Sequence, residues 1–174
     1  QLRERLSDKP YYRLVHAEAD LFPGLIIDRF GDVVVVQANT AGMNAARTEL
    51  VSALDELIKP KTILLRGDNP SRTLEGLEQE VVLLKGSAPE QLDVFENGLH
   101  YRADIMGGQK TGWFYDQRAN RAMVAKLCKG RTMLDLYTHT GGFGLCAAQA
   151  GAAQVLCVDR SEHSLELAKY AAQQ

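Results

Sequence analysis

The stretch T-M-L-D-L-Y-T-H-T-G-G-F-G-L-C-A-A-Q-A-G-A-A-Q-V-L-C-V-D-R-S, Thr132 to Ser161, restricts the fold more than any other part of the chain. A short apolar run, Thr132 to Leu136, carries the acid Asp135. After a loop rich in hydroxyls and glycine, Tyr137 to Gly142, the small residues of Phe143 to Ala150 suit a helix. A second apolar run, Gln154 to Asp159, again ends in an acid, and Ser161 starts another helical pattern. Apolar runs this short, bounded by turn signals, read as buried strands. Two strands joined through a helix are expected to lie parallel here, since parallel pairing needs a crossover of this length and a tight turn only reverses the chain. The stretch therefore predicts a βαβα unit on a parallel sheet.

What such a unit binds depends on its loop. Gly142-Phe143-Gly144-Leu145-Cys146-Ala147 fits the G-x-G-x-x-A fingerprint of dinucleotide sites, with Asp159 fifteen residues beyond Gly144. On the glycines alone, an NAD(P)-dependent oxidoreductase is a valid reading. Three features point elsewhere. Asp135 at the end of the first strand would repel a pyrophosphate and suits a cationic ligand. The loop is longer than the tight dinucleotide turn, and its Thr138, His139 and Thr140 can hydrogen-bond a ligand without phosphate. Asp159 ends the second strand, where a carboxylate can accept both hydroxyls of a ribose. S-adenosylmethionine, a sulfonium with an amino-acid end and an adenosine but no phosphate, meets all three. The plainer reading of the same acids is that they cap the turns that follow them.

Upstream, residues 10 to 90 alternate strand and helix signals and read as a small α+β domain. Its strands are expected in Y-Y-R-L-V-H-A-E-A-D, in the hairpin G-L-I-I-D-R-F-G-D-V-V-V-V-Q-A-N, in K-T-I-L-L-R-G-D and in E-V-V-L-L-K-G. One helix is expected over residues 41–60, with Ala46, Leu50, Leu54, Leu57 and Ile58 on its apolar side and Pro60 as its stop. A second hairpin, L-D-V-F-E-N-G-L-H-Y-R-A-D-I, is signalled by Asn97-Gly98, a pair that accepts the positive φ angles of a type I′ turn. A glycine-marked loop follows, then a helix from Asp116 or Gln117 to Lys129. The expected division is 1–90 for the α+β domain, 91–112 for the hairpin and connecting loop, and 113–174 for the start of the ligand-binding domain.

The net charge of −2 argues against a general polyanion-binding surface. Between Arg102 and Arg131, however, seven basic residues face two acids. Within that segment Arg118 and Arg121 share a helix face. Arg118 is expected to serve the ligand pocket, and Arg121, Lys126 and Lys129 to lie in solvent or on RNA phosphate. Cys128, Cys146 and Cys157 lack metal-ligand spacing and read as buried reduced thiols. No apolar run approaches the length of a membrane span, and the polar start lacks a signal peptide's apolar region, so a cytoplasmic location is expected.

K-T-G-W-F-Y-D-Q-R-A-N-R, followed by L-D-L-Y-T-H-T-G-G-F-G and V-D-R-S, resembles the class I S-adenosylmethionine-dependent methyltransferases of the ribosomal RNA cytosine-C5 group that act on the large subunit. Residues 12–37 resemble their central domain as well. The resemblance implies a small α+β central domain, then a β-hairpin and the first βαβα unit of a Rossmann-like methyltransferase sheet. It implies that Tyr115, Asp116, Gln117 and Arg118 line the cofactor pocket. Asp135, Tyr137, Thr138, Thr140, Gly141, Gly142, Phe143 and Gly144 would wrap the methionine part, and Asp159 would hold the ribose, with Arg160 and Ser161 beside the adenine. His139 departs from the pattern, since many methyltransferases have glycine there. The resemblance further implies a fragment: a PUA-type RNA-binding domain before Gln1, and the rest of the sheet, the nucleophile and the base after Gln174. The chain by itself is then expected to lack catalytic residues and activity, its partner to be ribosomal RNA, and an open edge at T-M-L-D-L either to pair with another chain, as in a homodimer, or to leave the residues after about Gly130 poorly protected. A non-catalytic RNA-binding or assembly module is the other reading of the basic segment.

Overall fold

The computed structural model describes residues 2–89 and 91–174. Two compact units emerge, Gln1–Glu90 with Asp104–Trp113, and Gln91–Ala103 with Phe114–Gln174. The expected boundary at residue 90 lies outside the described residues.

In the first unit a short helix α1 (Leu2–Arg5) precedes strand β1 (Tyr11–His16). The A-E-A-D that was expected to extend this strand forms a 3-10 turn instead, Ala17–Asp20. Strands β2 (Leu25–Phe30) and β3 (Val33–Ala38) form the expected hairpin. The single helix expected next is two, α2 (Ala41–Ala45) and α3 (Arg47–Leu57), broken at Ala46, whose ψ of 17° leaves the helical range. Thr40 caps α2 by accepting from the Met43 amide. Strand β4 (Thr62–Gly67), helix α4 (Ser71–Leu74) and strand β5 (Glu80–Lys85) complete a five-stranded sheet in the order β1-β2-β3-β4-β5. Every pairing is antiparallel except β3 with β4, which α2 and α3 connect.

Strand alternation gives this sheet two distinct faces. Leu25, Ile27, Val34, Val36, Ile63 and Leu65 point to one face, where Leu50, Val51 and Leu54 of α3 cover them. The opposite face carries Asp28, Val35, Leu64 and Arg66, all buried. Residues 104–113 close it, and two buried charges hold them there. Asp28 takes both arms of Arg13, at 2.9 and 3.0 Å, and accepts the Thr111 hydroxyl at 2.6 Å. Arg66 donates to the carbonyls of Ile105 and Gly108, at 2.6 and 2.7 Å, and pairs with Asp68. The K-T-G-W part of the motif is thus bound into the first unit, with Trp113 buried.

In the second unit, β6 (Leu92–Glu96) and β7 (Leu99–Ala103) form a hairpin turning at Asn97 and Gly98, with φ of 52° and 77°. A 3-10 turn over Tyr115–Gln117 leads into α5 (Arg118–Leu127). Then come β8 (Thr132–Leu136), α6 (Gly142–Gln149), β9 (Gln154–Val158) and α7 (Glu162–Ala172). Strands β8 and β9 are parallel, with Asp135 opposite Cys157. Helix α6 covers the face bearing Asp135 and Cys157, whereas Leu134, Leu136, Leu156 and Val158 on the other face are exposed. Among the described residues β8 pairs only with β9.

Removing the Asp28 carboxylate should leave the Arg13 guanidinium and the Thr111 hydroxyl without their shared acceptor. Asp28→Ala is expected to destabilise the first unit by about 3 kcal/mol, as breaking a buried pair from one side does. Urea denaturation followed by Trp113 fluorescence measures it.

Candidate functional site

The loop between β8 and α6 is held by its own backbone. Asp135, almost fully buried, accepts the Thr138 hydroxyl at 2.5 Å and the Gly144 amide at 2.9 Å, both on Oδ2. The Thr138 amide donates to the Val158 carbonyl, the Gly141 amide to the Thr138 carbonyl and the Leu145 amide to the Gly141 carbonyl. The His139 amide donates to Asp159 Oδ2 at 2.8 Å, and Asp159 Oδ1 accepts the Ser161 amide at 2.9 Å. Tyr137, His139 and Gly141 all adopt positive φ, 58°, 54° and 84°. The position where a glycine is common in such loops therefore has the backbone a glycine would give it, although the side chain is histidine.

These bonds bear on the choice of ligand. A pyrophosphate site works by presenting free loop amides to phosphate oxygens. Here the amides of residues 138, 139, 141, 144 and 145 already have acceptors within the protein, and one of those acceptors is a carboxylate at the root of the loop. The carboxylate at the root of the loop, with several of the loop amides already bound to it or to backbone, suits a ligand without phosphate better than a pyrophosphate. Besides the role expected of it toward a cationic ligand, Asp135 ties the loop together through Oδ2. Asp159 is held below the usual carboxylate range, chiefly by the Ser161 amide and also by that of His139, with burial opposing. It is an ionised acceptor at the end of β9, and its remaining lone pairs suit a diol.

The other expected cofactor residues divide into two groups. Thr140, Gly142 and Phe143 lie in the loop and the first turn of α6, and Thr140 Oγ1 is 3.4 Å from His139 Nδ1. Tyr115 is buried in the 3-10 turn with the Arg118 guanidinium 5.5 Å from its ring centre. Asp116 accepts from the Gln117 side chain, and Gln117 from Asn120. Contact with the glycine loop is made by the neighbouring Phe114, whose ring stands edge-on to His139 at 5.3 Å. Ser161 serves as the N-cap of α7, accepting from the Ser164 amide, and Arg160 is exposed.

Arg121 corrects the expectation of a solvated or RNA-facing group. Its side chain is 5% exposed and donates to Glu96 at 2.6 Å. Glu96 is fully buried and also accepts from Arg118 at 3.3 Å. Lys126 and Lys129 are exposed. Sequence reading missed Phe114, Glu96 and Tyr101. Only the adjacency of Glu96 to the Asn97-Gly98 turn hinted at a fixed place for it.

A model of the S-adenosylmethionine-dependent methyltransferase family matches residues 77–172. The chain belongs to this family. Curated relatives include ribosomal RNA large subunit methyltransferase I of Tolumonas auensis, 45% identical over 161 residues, and that of Shewanella amazonensis, 43% identical over 160. Each alignment takes in 91% of this chain but 41% and 40% of the relative, so the chain spans about two fifths of their length. Among solved structures, one from Streptococcus mutans described as a SAM-dependent methyltransferase superposes with a TM-score of 0.82 at 28% identity. Another, described as a methyltransferase complexed with SAH, gives 0.84 at 28%. They cover 98% and 99% of this chain and 44% of their own. The fold is thus the α/β fold of methyltransferases, and the family's cofactor is S-adenosylmethionine.

Two consequences are measurable. A methyl group on Gly144 would lie 2.3 Å from Cys157 Sγ and 3.2 Å from Val155, so Gly144→Ala should cost about 1–3 kcal/mol by overpacking. Cys157→Ala should recover part of that loss in a denaturation series. Burial, with Arg121 adding to it, lowers the His139 pKa from its ordinary value of 6.5 against the pull of Asp159. The folded state therefore favours the neutral ring. That contribution is fully present above 6.5 and is lost as pH falls through 6.5 toward the folded value. His139→Asn, which tolerates the positive φ, should abolish this part of the pH dependence. The contribution of Asp159 fades only in the more acidic carboxylate range.

Proposed function

We propose that this chain carries the central domain and the first half of the cofactor site of an S-adenosylmethionine-dependent RNA methyltransferase, and that the whole protein methylates C5 of a cytosine in large-subunit ribosomal RNA. The observation that carries the reading is the Asp159 carboxylate, ionised and fixed by two backbone amides at the end of β9, beside a glycine loop rooted on the buried Asp135 carboxylate. Relatives 45% and 43% identical that act on large-subunit ribosomal RNA support the substrate class.

When bound, S-adenosylmethionine supplies an electrophilic methyl group on a sulfonium. Asp159 would take the ribose hydroxyls, while the loop from Asp135 to Gly144 would hold the amino-acid end. Tyr115 and Phe114 would give the site an apolar wall. C5 chemistry also needs a thiolate that adds to C6 and a base that removes the C5 proton. The three thiols of this chain serve packing: Cys146 touches the Tyr101 hydroxyl at 3.1 Å, Cys128 donates to the Val124 carbonyl, and burial holds the Cys157 thiol protonated. Under this reading the nucleophile belongs to another part of the protein.

In the complete protein, Asp159→Ala should weaken S-adenosylhomocysteine binding tenfold or more, because each charge-assisted hydrogen bond to a ribose is worth about 1.5–3 kcal/mol. Calorimetry measures the loss, and unchanged affinity removes Asp159 from the site. Incubating the protein with unmodified large-subunit ribosomal RNA and labelled cofactor, then mapping the label, tests the substrate. Label on a ring nitrogen or a ribose would overturn the C5 assignment.

A further inference from the structure

Glu96 is the most completely buried acid of the second unit, and its ion pairs run to a helix rather than along its own strand. Its Oε1 takes Arg121 Nη1 at 2.6 Å and its Oε2 takes Arg118 Nε at 3.3 Å, so a residue of the hairpin fixes two arginines of α5. Arg121 in turn lies against the start of α6. A methyl group on Gly142 would stand 2.6 Å from Arg121 Nε and 3.1 Å from Cζ, so the flat guanidinium occupies the space a side chain would fill. Its carbon is also 5.7 Å from the Phe143 ring centre. Two further side chains of the hairpin reach the same place. The Tyr101 hydroxyl lies 3.4 Å from the Gly142 carbonyl it donates to, and Asn97 donates to the Arg118 carbonyl at 3.1 Å.

Burying such a pair is a poor route to stability, because desolvating both charges costs about as much as their attraction returns. Its useful property is direction. A planar fork clamped by a carboxylate has one orientation, and here that orientation forms a wall for the first turn of α6. The same turn carries the Gly144 amide that Asp135 holds. We propose that Glu96 and Arg121 are positioning residues for the cofactor site, setting the first turn of α6 by holding the guanidinium against Gly142. The proposal rests on the reading of the glycine loop as the S-adenosylmethionine site and extends it to a carboxylate on a separate hairpin.

The test uses the complete protein, with S-adenosylhomocysteine as the calorimetric probe and methylation kinetics beside it. Arg121→Met, and the charge-neutral pair Glu96→Met with Arg121→Met, should each weaken binding tenfold or more. In the kinetics they should raise KM for the cofactor while kcat at saturation stays within twofold. Should Arg121→Met fail to fold, Arg121→Lys decides, because it keeps the charge without the flat fork and is still expected to weaken binding. Gly142→Ala should reproduce the loss in the native background and add nothing once Arg121 is Met, the non-additivity of two groups acting through one contact. Asp159→Ala separates the two levels. If it weakens binding while the Glu96 and Arg121 variants bind as the native protein does, the positioning role is overturned and the site stands. If Asp159→Ala also leaves binding unchanged, the site itself is overturned, and the positioning role with it. Additive losses for Gly142→Ala and Arg121→Met would likewise overturn the proposal.

Discussion

The carboxylate of Asp135 is the tie on which the second unit depends. It sits opposite Cys157 in the parallel ladder, almost without solvent, and one oxygen gathers a hydroxyl three residues ahead and an amide nine residues ahead. A buried carboxylate without such donors would be expensive. With them it converts a long loop into a closed one and fixes where α6 begins. Gly144 is a glycine for the same reason, because the amide that Asp135 grips brings the helix within contact of Cys157 and Val155. The second acid repeats the scheme across β9. Asp159 joins the loop, through His139, to the start of α7, through Ser161.

Most of the fold was legible because periodicity and turn chemistry are local. The hairpin at Asn97-Gly98, the strand pair around the glycine loop and the strands of the first unit each declare themselves within about ten residues. The break at Ala46 did not, because the apolar pattern runs on through it and a change of helix direction leaves the spacing nearly intact. Nor did the 3-10 turn at Ala17–Asp20, where the Asp20 carboxylate accepts the His16 amide and bends the chain off the sheet. The division into units was hidden for a related reason. Nothing near Thr111 says that its acceptor is Asp28, or that Arg66 caps the carbonyls of Ile105 and Gly108.

The candidate site was legible in its acids and glycines and illegible in its arginines. A basic run has the same appearance whether it faces solvent, phosphate or a buried acid, and the distinction is set by residues distant in the chain. Arg121 lies twenty-five residues from Glu96, and only folding brings them to 2.6 Å. Asp135 was read for its charge, as a partner for a cation, and the structure adds a role that its sequence position does not announce, since its Oδ2 ties the loop to α6. The misreading of Arg121 comes from assigning a charged group to solvent or a ligand before asking which protein groups need it.

The loop also shows how strain is retained where hydrogen bonds on either side fix the backbone. Tyr137 and His139 both stand in the left-handed region, at about 1–2 kcal/mol each for residues with a Cβ. Tyr137 is largely exposed, so burial of its ring does not offset that cost. What offsets it is the backbone on either side. The Thr138 amide is bound to Val158, the His139 amide to Asp159 and the Gly141 amide to Thr138, so neither strained residue can relax alone. A glycine at 139 would relieve strain in the native loop but would widen the unfolded ensemble and remove the ring that Phe114 meets edge-on. Histidine there is thus consistent with a loop whose shape is set by its neighbours' hydrogen bonds, leaving the side chain to pack against Phe114.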